Sequence, residues 1–222
     1  MLDDSAIHPS PGEALGTVPL FPLPNVVLLP RAVLPLHIFE ERYKAMVANA
    51  LNNDKRLAIA LLLPGWEKAY SGQPKINPIV CVGTIISHEK LPDGKYNLLL
   101  QGSLRARVMR EVQKYPYRIA DLESLPESSV MEIDMSNERR RLISVLSNDP
   151  FCNMPVCRKF LELLSGSLRT GEIADLIAYN LLEDLDFKQQ LLGETDPRRR
   201  AGRVVAALES GILSRRAATS SP

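Results

Sequence analysis

Three histidines, three cysteines and a single Gly-Lys pair are the places where chemistry could begin in this sequence of 222 residues. Phosphates of a nucleotide are cradled by GxxxxGK[ST], whose backbone N–H groups and lysine converge on the anion. Gly94-Lys95 is followed by Tyr96 and lacks the earlier glycine, so that loop is absent. GxGxxG, GxSxG and HExxH are absent too. His8 falls in a polar amino-terminal stretch, His37 stands near Glu40 and Glu41, and His88 adjoins Glu89. Spacing does not bring them together as ligands or as an acid–base pair, and structural or surface roles are expected for His37 and His88. Serines and lysines are plentiful, but no signature singles out a Ser–Lys dyad. Cys81, Cys152 and Cys157 form no CxxC pair and are odd in number. They read as buried structural thiols of a reducing compartment, not as disulfides or zinc ligands. No catalytic residue, cofactor site or metal site is expected.

Recognition leaves a different trace. Trp66 and Tyr70 lie in LPGWEKAYSGQPKINP, a loop dense in turn formers where no core periodicity asks for an aromatic ring. They are either anchors packing the loop onto the β part or members of an exposed aromatic site for peptide binding. Arg139–Arg141 and Arg198–Arg200 sit near helix starts among acidic residues, and solvated helix faces are the expected reading.

The elements that must hold these residues follow from periodicity. Residues 1–16 are polar, aperiodic and rich in proline and glycine, which reads as a disordered lead-in. From 17 to 126 the pattern is strand-like: TVPLFPLPNVVLLP and AVLPLHIF are extended pieces broken by prolines, and RLAIALLL is a strand buried on both faces. IVCVGTIISHEKL and KYNLLLQGSLRARVMREV flank Asp93-Gly94, a hairpin signal, and YRIADLESL adds a further strand. One helix interrupts them near Glu40–Asn53, with Tyr43, Met46, Val47, Ala50 and Leu51 on one face. From 127 to 213 the period is helical. Ser136 can cap one helix, Pro155 opens another, Thr170 precedes a third, and Asp196-Pro197 forms an N-cap with proline at the first helical position of a fourth. Residues 214–222 read as a frayed tail.

Composition sets the outer limits. With 45% hydrophobic and 24% charged residues the chain has an ordinary globular balance and enough length to bury a core without disulfides or metal. Net charge is +1 and is evenly spread between the halves, so nucleic acid and anionic lipid find no footprint at this level. The amino terminus lacks the features of a signal peptide, and the longest apolar run, about 57–63, is far below the roughly 20 residues that span a bilayer. A cytoplasmic address is expected.

PLFPLPNVVLLPRAVLPLHIFEERYKAMVANAL resembles the opening of the amino-terminal domain of Lon-type ATP-dependent proteases. VCVGTIISHEKLPDGKYNLLLQG, SLRARV and a closing LPE follow in that family's order, and DLIAYNLLEDLDFKQQLLGETDPRRRAGRVVAALES is similar to its helical portion. The resemblance implies an α+β fold: a PUA-like β pseudo-barrel followed by a carboxy-terminal helical bundle. It further implies a stand-alone, non-catalytic module that binds peptides or unfolded polypeptides, with an adaptor role beside a separate protease or chaperone. RNA binding and small-ligand capture in the barrel mouth are the alternatives, and the even charge counts against RNA. Within the motif, Pro22, Pro24, Pro30 and Pro35 are expected to stiffen extended segments, Gly83 and Gly102 to mark bulges or close approach, and Phe39 with Tyr43 to tuck the helix onto the sheet. These positions read as determinants of fold and not as a ligand site.

Overall fold

The computed structural model describes residues 12–69, 72–112 and 116–219, in two compact units, Met1–Pro126 and Glu127–Pro222. The first unit contains β1 (Ala14–Leu23), β2 (Val33–Ile38), α1 (Glu41–Leu51), β3 (Arg56–Leu61), β4 (Ile79–Lys90), β5 (Tyr96–Val112) and β6 (Arg118–Ser124). Strand order is β2-β5-β4-β3-β1-β6, and a further β5–β6 pairing closes five of the strands into a pseudo-barrel. β1 begins at Ala14, so residues 14–16 belong to the barrel and not to the lead-in; Ala14 already pairs with Glu123. Of the rest of that lead-in, residues 1–11 lie outside the described residues.

Closure depends on strands that change partners. β1 pairs with β6 through Leu20 and with β3 from Leu20 onward. Pro19 and Pro22 therefore fall where β1 has one neighbour, and a missing N–H need not break a ladder. β5 runs 17 residues, pairing with β2 over Tyr96–Gln101 and with β6 over Ala106–Val112. At the crossover sits Gly102, whose N–H donates to Ala32 O and whose carbonyl accepts from Arg31 N, both at 2.8 Å. A Cβ there would stand 2.3 Å from Leu29 O. Gly83 lies at a β-bulge opposite Gly102, as the strand glycines led one to expect. Inside the barrel, Val18, Leu20, Ala58, Ala60, Val80, Val82, Ala106, Ala120 and Leu122 form a continuous apolar core.

α1 buries Tyr43, Met46, Val47 and Ala50. Tyr43 packs on Phe21 with ring centroids 4.5 Å apart. Phe39 does not join it. The ring is 60% exposed, because it ends the outward-facing series of β2 before the chain turns into the helix.

The second unit holds α2 (Ser136–Leu146), α3 (Pro155–Ser165), α4 (Thr170–Leu181), α5 (Leu185–Gly193) and α6 (Pro197–Thr219). Leu142, Leu146, Phe160, Leu164, Ile173, Ile177, Val204 and Leu208 are buried. Asp196 caps α6, accepting from the N–H groups of Arg198 (2.8 Å) and Arg199 (3.2 Å). Ser136 and Thr170 are the first helical residues of α2 and α4 instead of caps. At α4 the cap comes from a distance, since Glu132 accepts from Thr170 N at 3.0 Å and from its hydroxyl.

The basic runs are not uniformly solvated. Arg139 donates to the carbonyls of Leu164, Gly166 and Leu168 at 2.8–3.0 Å, satisfying groups that the end of α3 leaves without helical partners. Arg200 is fully buried, pairing with Asp175 and Glu127. Arg140, Arg198 and Arg199 do lie on exposed positions. The cysteines also divide: Cys81 and Cys157 are buried, whereas Cys152 is half-buried and donates to Asp149. Burial pushes the Cys157 thiol up, which keeps it protonated and unreactive.

Candidate functional site

A cleft of about 380 Å³ opens where the ends of β1 and β2, the first turn of α1 and the start of β6 converge. Each contributor arrives for a local reason. Phe21 and Pro22 close β1, and Pro24 prevents the strand from continuing in register. Leu36, His37 and Ile38 end β2, followed by exposed Phe39. Arg42 and Tyr43 come from the helix that begins two residues later. Tyr117 enters from the approach to β6 and is 5% exposed, its hydroxyl accepting from Asn49 at 2.5 Å.

Trp66 completes the wall. It begins a 3-10 turn, Trp66–Ala69, and is half-buried. The surrounding loop is tied back by the Leu62–Ile76 bridge and by Arg118, whose guanidinium donates to Pro74 O at 2.8 Å. Tyr70, the other aromatic expected here, lies outside the described residues. The cleft thus joins Trp66 and Phe21 to residues of the opening motif whose types and spacing pointed to fold alone: Pro22, Pro24, Phe39 and Tyr43. The signal that could have separated them was the outward phase of Val33, Pro35, His37 and Phe39, which predicts exposure for Phe39.

The electrostatics of the wall are settled internally. Arg42 donates to Glu40 at 2.9 Å and its guanidinium lies 4.6 Å above the Tyr43 ring. Arg118 makes a two-pronged bond to Glu111 at 2.6 and 2.7 Å. His37 Nδ1 is 2.7 Å from Asn97 Oδ1, and its ring stacks toward Phe39. What remains facing the cleft is mainly ring and pyrrolidine surface. Such a surface holds an uncharged group by exclusion of water and by contact with aromatic faces. Among the described residues, no group of three or more His, Cys, Asp or Glu could hold a metal ion. Nor is any helix there long and apolar enough to cross a membrane.

A β pseudo-barrel with an aromatic cleft at its mouth and a separate helical unit defines a Lon-type amino-terminal fold. The model of the ATP-dependent protease La (LON) substrate-binding domain matches residues 17–210, and the chain belongs to that family. Lon protease 3 of Sorangium cellulosum (strain So ce56) is 28% identical over 201 residues, covering 89% of this chain and 24% of that protein. Lon protease of Escherichia coli (strain K12) is 28% identical over 198 residues, covering 88% and 25%. The chain thus spans about a quarter of the length of these curated relatives, and the matches fall in the substrate-binding region. Among solved structures, a Lon N-terminal domain protein from Xanthomonas campestris aligns with a TM-score of 0.64 at 25% identity, over 86% of this chain and 98% of that one. The N-terminal domain of Mycobacterium avium complex Lon protease aligns with a TM-score of 0.67 over 87% and 98%, and at 15% identity it speaks for the fold alone.

Proposed function

We propose that the chain is a non-catalytic recognition module, and that the cleft seats an apolar side chain of an unfolded or extended polypeptide. The carrying observation is the pairing of every charged wall residue named above with a partner inside the protein, which leaves a neutral aromatic surface. Family membership supports the same reading, since the matched domain is a substrate-binding one. Trp66 supplies contact area, and Tyr70 is proposed to extend it. Delivery of captured chains to a separate protease or chaperone, in the cytoplasm, is the accompanying biological role.

Two other occupants are distinguishable. A cleft of this volume falls in the range of small-ligand pockets, roughly 300–1,000 Å³. RNA is disfavoured because Arg42 and Arg118 are already engaged by carboxylates and offer no free phosphate-binding fork. The test is titration with a chemically unfolded protein and with its folded form, at low and high salt. Tighter binding of the unfolded form with a shallow salt slope is expected. Equal binding of both forms, or a steep slope with competition by RNA, would overturn the reading.

A further inference from the structure

The cleft does not stop at Phe39. A second groove, about 420 Å³, runs along β2, β5 and β4, and Leu36 and His37 line both. On β2 the buried Leu34 and Ile38 alternate with exposed Val33, Pro35 and His37, and Phe39 continues the exposed series. Register sets Leu99 of β5 against Pro35, and Asn97 against His37. Leu99 is 39% exposed, so an apolar platform of Pro35 and Leu99 lies beyond the cleft. Between platform and cleft stands the polar His37–Asn97 pair.

The interval has a chemical meaning. Phe39 and Pro35 are four residues apart, about 13 Å along a strand, and positions four apart in an extended chain share a face. A second extended chain laid over this surface repeats the same interval. We infer that the substrate segment carries two apolar side chains four residues apart with polar residues between, one in the cleft beside Phe39 and the other on Pro35 and Leu99. This deepens the cleft reading and rests on it. The segment docks on the face of β2 and not along its edge, because Pro35 has no N–H and interrupts the donor row an added strand would need.

Trp66 is the sole tryptophan, so its emission reports the cleft directly. The experiment titrates the full chain with soluble Ser/Asn/Gly peptides carrying one Phe, two Phe at i and i+4, or two at i and i+3, with affinities from calorimetry. The single-Phe peptide is expected to shift Trp66 emission. The i,i+4 peptide is expected to bind about tenfold tighter or more, and the i,i+3 peptide little better than the single one. Leu99→Asp should erase the i,i+4 gain while leaving single-Phe affinity intact, with Leu99→Ala as the milder variant should the aspartate impair folding. An equal gain at both spacings, or a gain untouched by both Leu99 variants, would overturn the two-anchor inference and leave the cleft reading standing. No binding of the single-Phe peptide would bring down both.

Discussion

Arg200 and Asp175 meet as an ion pair with side chains 0% and 2% exposed, their closest approach 3.1 Å. Glu127 and the carbonyl of Glu194 accept further hydrogen bonds from the guanidinium, the latter at 3.0 Å. A charge withdrawn this far from water is tolerable because it faces two carboxylates and each guanidinium nitrogen has an acceptor.

Removing one partner strands the other. Arg200→Met is expected to cost about 3–5 kcal/mol of the helical unit's stability, since it leaves Asp175 buried without its counter-ion. Arg200→Met combined with Asp175→Leu should recover most of that loss. Urea denaturation followed by circular dichroism makes the comparison, and a double variant no better than the single one would contradict it.

Gly102 is a steric requirement. Gly102→Ala sets a methyl group against Leu29 O at the β5 crossover, where both backbones are hydrogen-bonded and cannot retreat. A loss of about 3 kcal/mol or more is expected, beyond ordinary overpacking. Thermal melts check it, and a change below about 1 kcal/mol would show that the crossover has slack.

Asp121 links stability to pH. Hydrogen bonds from Arg110, first, and then Thr17 hold its carboxyl below the ordinary value of 3.8. A depressed carboxylate contributes above its unfolded pKa, and the contribution disappears as pH falls through the folded value. The wild type should therefore exceed Asp121→Asn in stability at neutral pH, the gap closing on acidification below the ordinary carboxylate range. A gap that persisted in strong acid would have another origin. The pair is exposed, and the effect should be small.

Trp66→Ala tests the cleft. If Trp66 is a contact residue, the change should weaken peptide binding by about 1–3 kcal/mol and shift the melting temperature little. A large loss of stability with unchanged affinity would instead make it a packing anchor.

The strands were legible because proline, glycine and period-two burial punctuate them strongly, as Gly83, Gly102 and the Asp93-Gly94 turn show. α5 was harder to read: Asp184 caps it, accepting from Phe187 N at 2.9 Å, but its nine residues bury only Gln189, Leu191 and Leu192 and make no full apolar stripe. Charge runs were opaque for a related reason. Sequence cannot say which arginine of RRR points inward, and the carbonyls that draw Arg139 in belong to residues 25–29 positions away. Trp66 stood out as an aromatic without a core to serve, but its neighbours in the cleft come from segments near 21–24, 36–43 and 116–118. Only barrel closure gathers those, and no local periodicity encodes it.

Pro35 has a consequence for survival in company. Under the proposed function the protein meets segments ready to nucleate cross-β growth, and an intact strand edge would be a seed for it. β2 is the edge of the sheet, and its missing N–H breaks the template at the middle of the strand. Where the β3–β4 ladder ends at Thr84, β4 continues into Glu89 and Lys90, whose charges discourage a further strand. Sticky side-chain surface and non-sticky backbone are thereby separated on one small barrel, so that holding an aggregating chain does not mean being recruited by it.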